Sequence, residues 1–197
     1  MTKEIAAIFA VGPNDVIGIK DKMPWHLKQD FYHFKKVTKG YPCLFGATTF
    51  YGLPKYPLPD RLNVVLDNTK PDLISANFGY GDINTPCRGG YVIINNFDCA
   101  LDYCNNFEKV FVCGGAAIYK YALENNLVNT LYITRVISPN LWEQIKKAPD
   151  DYVRFPIDLH KYLSEDWVRV PFEYKEEDLP EENDDITVQF QKWRKIK

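Results

Sequence analysis

A chain of 197 residues with 24 Lys and Arg against 26 Asp and Glu carries a formal charge of −2. That length supports one large domain, 1–197, with a substantial core that needs no disulfides to fold. The near-neutral balance gives no electrostatic case for a nucleic acid or a membrane surface as partner. The first element is a buried strand, Ile5–Ala10. The apolar run Ile5–Val11 follows Glu4 and is too short for a secretory leader, and no run approaches the ~18–20 apolar residues of a membrane span. Next comes a helix over Leu27–Thr38, opened by Met23-Pro24-Trp25. Further buried strands are expected at Cys43–Phe45, Leu62–Leu66, Tyr91–Ile94, Val110–Cys113 and Leu131–Val136, with helices at Phe97–Asn106 and Ala116–Asn125 between them. Strands alternating with helices predict an α/β fold around a mixed, mostly parallel sheet. The segment Ser138–Tyr152 reads as an insertion with a short helix, Leu141–Lys147. Trp167–Tyr174 and Ile186–Trp193 alternate in polarity like antiparallel edge strands, and the acidic stretch 173–185 between them reads as a solvated loop.

Several positions along this pattern carry chemistry. Leu27, Asp30, Phe34 and Val37 fall on one face of a helix. A carboxylate among apolar neighbours is costly, so Asp30 either grips a polar, partly cationic heterocycle or serves the helix dipole from the first turn. Val110-Phe111-Val112-Cys113-Gly114-Gly115-Ala116 runs from a buried strand through paired glycines into a helix. That is either a phosphate cradle or a tight structural turn. Phe45-Gly46-Ala47-Thr48-Thr49 repeats the arrangement, with Thr48 as a helix cap or a phosphate donor. Two such ends in one sheet suggest one extended ligand such as a dinucleotide. Arg61, just before a buried strand, is either a solvated turn residue or a fork for a carboxylate. The five cysteines (Cys43, Cys87, Cys99, Cys104, Cys113) and the histidines His26, His33 and His160 have no metal spacing, so reduced thiols, no metal and a cytoplasmic location are expected.

Together these residues resemble the dihydrofolate reductase family. The resemblance rests on Ile5-Ala6-Ala7, Val16-Ile17-Gly18, Met23-Pro24-Trp25 with Asp30 and Phe34, and Phe45-Gly46-x-x-Thr49. It continues with Pro57-Leu58-Pro59-x-Arg61-x-Asn63, Gly114-Gly115-x-x-Ile118-Tyr119, Leu131-Tyr132-Ile133-Thr134 and Phe155-Pro156. It covers roughly residues 4–136 and continues more weakly to the end. It implies hydride transfer from NADPH to C6 of 7,8-dihydrofolate with a proton to N5, in a monomer whose partner is that small molecule.

The resemblance also implies roles. Asp30 would bind the pterin and support protonation, with a carboxyl raised by desolvation, so that activity falls as pH rises. Trp25 would lie on a mobile loop and help hold a water. Ile5, Phe34 and Leu58 would sandwich the substrate, with Ala6, Leu27 and Cys113 as its neighbours; Arg61 would hold the glutamyl carboxylate, and Thr134 would steady Asp30. For the cofactor, Gly114, Gly115 and Ala116 would receive the pyrophosphate, with Thr49, Gly46 and Thr48 beside it. Ala7, Ile17, Gly18 and Tyr119 would frame the nicotinamide. Leu66, Asp67, Asn68, Ala47 and Ala117 would stand at the adenosine end.

The departures from the family bear on that adenosine end. Ala47 and Ala117 stand where relatives place cations for the 2′-phosphate, and Asp67 is acidic. This predicts a weaker NADPH-over-NADH preference than the family shows, with NADH tolerated, unless Lys70 or Arg88 compensates. A pyrimidine reductase of riboflavin synthesis would leave Pro-Trp-x4-Asp with Arg61 unexplained. A non-catalytic relative would be expected to have lost Trp25 or Asp30.

Overall fold

The computed structural model describes residues 3–20, 22–69, 90–172, 179–180 and 185–196. In chain order the elements are β1 (Glu4–Val11), β2 (Val16–Ile19), α1 (Lys28–Thr38), β3 (Pro42–Gly46), α2 (Ala47–Tyr51), β4 (Leu62–Leu66), β5 (Gly90–Ile94), α3 (Phe97–Tyr103), β6 (Lys109–Val112), α4 (Ala116–Glu124), β7 (Thr130–Ile137), α5 (Pro139–Lys147), β8 (Tyr152–Arg154), α6 (Leu159–Asp166), β9 (Trp167–Val170) and β10 (Thr187–Lys195). The chain forms two compact units, Met1–Ala7 with Thr38–Val128, and Ile8–Val37 with Asn129–Lys197.

The first unit holds parallel strands in the order β5-β4-β3-β6-β1. Their sequences are nearly continuous apolar runs, as strands covered on both faces require. Cys43, Leu44, Val64, Val65 and Val110–Val112 are buried. Parallel strands put all their carboxyl ends on one edge, where open α/β sheets receive ligands. Gly46, Asp67 and Cys113-Gly114 lie at those ends.

The second unit holds the order β1-β7-β10-β9, with β10 antiparallel to both neighbours, and a small antiparallel ladder of β2 with β8. The pairs Phe190↔Thr134 and Lys192↔Tyr132 fix the register of β10 on β7. One buried cluster of this unit comprises Val16, Trp25, Leu27, Val136, Leu141 and Ile145.

The fold class and all six expected buried strands are present, with mostly parallel pairing and antiparallel C-terminal strands. Several boundaries differ. Leu27 lies before α1, which starts at Lys28. Helix α3 stops at Tyr103 and α4 at Glu124, because Cys104 and Asn125 leave helical geometry. The short helix of the insertion starts earlier, at Pro139, because the Ser138 hydroxyl caps the Leu141 N–H and proline suits the first turn. Strand β9 ends at Val170, short of the expected Tyr174, and β10 runs from Thr187 to Lys195. Elements β2, β8 and α6 are not evident from the sequence pattern. Much of the acidic 173–185 stretch lies outside the described residues, as do Cys87, Lys70 and Arg88. The other four cysteines are free thiols, and Cys99 alone among them is exposed. No described helix is long and apolar enough to cross a membrane.

Candidate active site

In the first unit, β6 leads through Cys113 into Gly114 and Gly115, and Gly115 caps α4. Gly114 adopts φ +104, which glycine tolerates and other residues resist. The Gly114–Gly115 peptide is cis. The Gly114 carbonyl accepts the Gly46 N–H at 2.7 Å, which ties the carboxyl end of β3 to the glycine pair.

Side chains are excluded from this junction by contact. A Cβ on Gly115 would come within 2.7 Å of Thr49 Oγ1, and one on Gly114 within 2.9 Å of the Tyr119 ring. One on Gly46 would meet Ile118 at 3.1 Å. Bare backbone, a threonine hydroxyl and the N-terminus of a nine-residue helix therefore converge at one place. That combination fits a pyrophosphate. The cap of α2 is Gly46, so Thr48 is not the cap; it is an exposed residue of the first turn. Ala47 and Ala116 are half-buried and Ala117 is exposed.

At the end of the neighbouring strand, Leu66 and Asp67 are buried and Asn68 is exposed. Asp67 Oδ1 accepts from the Thr69 N–H at 3.0 Å and the Thr69 hydroxyl at 2.6 Å. This local turn holds the carboxylate at the ligand-receiving edge.

Arg61 is not a solvated turn residue: it is 4% exposed. Its Nε donates to the Pro59 carbonyl at 2.9 Å and one Nη to Thr38 Oγ1 at 3.1 Å. The loop that carries it is tied down by Asn63. The Asn63 amide accepts from the Leu58 N–H and donates to the carbonyls of Leu58, Arg61 and Gly90. Asp60 takes φ 58 just before Arg61, and its carbonyl accepts the Gly40 N–H. A guanidinium held this firmly has its fork oriented before any anion arrives. Cys113 and Cys43 sit side by side on adjacent strands. Burial and the Cys43 thiol push the Cys113 thiol up, against a smaller opposite pull from Arg61.

In the second unit, Asp30 is the third residue of α1 and is 9% exposed. Leu27 and Thr134 are buried, while Phe34 and Ile17 are only half-buried. In the first unit Ile5 and Leu58 are likewise half-buried, whereas Ala6 and Ala7 are covered on all sides. Ile5, Ile17, Phe34 and Leu58 thus keep part of their surface open. Gly18 is buried on β2, where a Cβ would stand 3.4 Å from the Lys22 carbonyl oxygen. Trp25 is 7% exposed, and its Nε1–H is buried without an acceptor among the described residues. Such a donor is satisfied by an ordered water or a ligand atom.

The most deeply buried ring of α1 is His33, at 1% exposure, one turn on from Asp30. Its ring packs on Phe190 at 4.4 Å, meets Phe172 edge-on at 5.6 Å and lies 6.5 Å from Tyr132. Buried Lys192 stands over the same Tyr132 ring at 5.2 Å. Spacing alone does not single out His33, because 27, 30, 33/34 and 37 make one helical stripe that either residue could lead.

Burial pushes the His33 imidazole down to about 3, so the ring is neutral in the folded protein. An unfolded histidine binds a proton below about 6.5, so the folded state loses stability as pH falls from there towards 3. Urea unfolding should show wild type losing about 2 kcal/mol more than His33→Phe between pH 7 and pH 5. Equal losses in the two proteins would contradict a neutral buried ring.

The sequence profile described as dihydrofolate reductase matches residues 4–194. The dihydrofolate reductase of Candida albicans is 30% identical over 182 residues, covering 87% of this chain and 83% of the relative. That of Neisseria gonorrhoeae is 35% identical over 133 residues, 68% of this chain and 72% of the relative. That of Bacillus subtilis is 33% identical over 132 residues, 67% and 68%. Among solved structures, a dihydrofolate reductase from Enterococcus faecalis complexed with NADP(H) and RAB-propyl aligns with a TM-score of 0.66 at 22% identity, over 99% of this chain and 98% of that one. That last similarity is one of fold.

Proposed function

The chain belongs to the dihydrofolate reductase family, and from that membership together with the site geometry we infer how its residues divide the work. The enzyme reduces 7,8-dihydrofolate to 5,6,7,8-tetrahydrofolate with NADPH. NADPH supplies the hydride for C6 of the pterin; the protein positions two flat rings and excludes bulk water. The observation that carries the reading is the buried carboxylate of Asp30 on α1.

Asp30 binds the 2-amino and N3 edge of the pterin and stabilises the cation that forms on protonation. It cannot touch N5 from that edge, so the proton travels through a water, which the buried Trp25 Nε1–H helps to hold. Thr134 steadies Asp30. Ile5, Phe34 and Leu58 sandwich the substrate, and Arg61 takes the glutamyl α-carboxylate. Backbone around Gly46, Gly114, Gly115 and Ala116, with the Thr49 hydroxyl, takes the cofactor pyrophosphate. Ile17, Gly18 and Tyr119 shape the nicotinamide end. We place the enzyme in the cytoplasm, acting as a monomer on a small molecule. The test is loss of nicotinamide absorbance on mixing with NADPH and dihydrofolate; no loss, or loss with a pyrimidine intermediate of riboflavin synthesis instead, refutes the reading.

The adenosine end yields a second expectation. Asp67 is anchored at the strand edge by Thr69. It can accept a hydrogen bond from a free ribose 2′-OH and repels a 2′-phosphate. Comparison of kcat/KM should give an NADPH preference well below ~10³-fold, which would be about 4 kcal/mol. A preference of that full size would require a compensating base, and Lys70→Ala and Arg88→Ala would identify it.

A further inference from the structure

We propose that helix α5 is the support that seats Trp25, with Leu141 and Ile145 as positioning residues and Gly12 as the gap that admits the indole. The proposal rests on the reading that Trp25 serves the reaction. Its geometry comes from the packing of the second unit.

Trp25, Leu141 and Ile145 belong to one buried cluster with Val16, Leu27 and Val136. Gly12 lies against two of them. A Cβ built there would stand 2.8 Å from Trp25 Cζ3 and 3.3 Å from Leu141 Cδ2. Indole, leucine and glycine therefore form a closed contact with no room for one further carbon.

Helix α5 is built for this contact on one side only. Leu141 and Ile145 are four residues apart on the buried face. The opposite face carries Trp142, Glu143 and Lys146. There Lys146 pairs with Glu143 at 2.8 Å and stands 5.1 Å over the exposed Trp142 ring.

The flanks of the helix hold the chain just after Gly12, at Asp15 and along β2. Arg135 pairs with Asp15 at 2.8 Å, the Phe155 N–H donates to the Asp15 carbonyl at 2.7 Å, and β8 pairs with β2. The segment that carries Trp25 thus rests on residues 135–155. A tryptophan whose Nε1–H must meet one acceptor depends on sub-ångström placement, and misplacement of that order costs rate rather than fold.

The test labels the four tryptophans with 5-fluorotryptophan and reads them by 19F NMR, with Trp25→Phe assigning the Trp25 signal. Leu141→Ala, which opens space beside the indole, and Gly12→Ala, which fills it, should both shift or broaden that signal. Both should lower kcat on the order of tenfold with a smaller change in KM for dihydrofolate. Leu141→Met should restore both readouts, and Trp142→Ala, on the outer face, should change neither kcat nor the Trp25 signal. If circular dichroism shows Leu141→Ala unfolded, Ile145→Val makes the same test with a smaller cavity. An unmoved Trp25 signal, or a moved signal with wild-type kcat where Trp25→Phe itself loses turnover, overturns the proposal. Because the 19F signal reports placement directly, wild-type turnover in Trp25→Phe would count against the role of Trp25 and leave the seating judged on its own readout.

Discussion

Asp30→Asn is expected to fold and to lose on the order of 10²-fold or more of kcat/KM at neutral pH. The substitution keeps the shape of the side chain and removes its charge. Asp30 is buried on α1, one turn before a neutral imidazole packed against aromatic rings. A carboxylate in such a place costs folding energy, and an amide costs less. Stability should therefore be unchanged or slightly higher while turnover collapses, a trade-off that marks a group retained for chemistry. An amide cannot stabilise a protonated pterin, so the loss should appear in the chemical step. Wild-type turnover in the Asn variant would remove Asp30 from the mechanism.

Arg61→Leu should weaken dihydrofolate binding by ~2–4 kcal/mol, the cost of losing one partner from a partly desolvated charge pair. The substitution also removes the bonds from Arg61 to the Pro59 carbonyl and to Thr38 Oγ1. A stability loss of about 1–2 kcal/mol should accompany it. The two effects separate by substrate. A pterin without the glutamyl tail offers no carboxylate, so wild type and the Arg61→Leu variant should bind it with the same affinity. Equal losses for both substrates would show that Arg61 shapes the fold and does not bind the tail.

Much of this arrangement is legible in the chain because some residues face only local constraints. Leu62–Leu66 reads as a strand because it is apolar almost throughout and covered on both faces. The glycine pair stands out in the chain because a Cβ would collide with Thr49 at Gly115 and with Tyr119 at Gly114. Asp30 is conspicuous because carboxylates are rarely fully buried.

What stays hidden depends on partners distant in sequence. His33 and Phe34 compete for the inner face of α1, and His33 goes deeper because Phe190, more than 150 residues later, provides its stacking surface. A turn arginine is ordinarily solvated. Arg61 is buried because Thr38 and the Asn63 amide network close over its loop. Strands β2 and β8 are only four and three residues long and pair across more than 130 residues, so neither shows a period of its own. The contact of Trp25 with Leu141 likewise emerges only once the insertion folds back.

The most direct measurement is the fate of the cofactor hydride. NADPH deuterated at C4 of the nicotinamide is mixed with 7,8-dihydrofolate and the enzyme, and the pterin product is examined by mass spectrometry and NMR. Tetrahydrofolate carrying deuterium at C6 is expected, with the hydrogen on N5 exchanging with solvent. Oxidation of the cofactor without deuterium at C6, or no tetrahydrofolate at all, would contradict hydride transfer to C6.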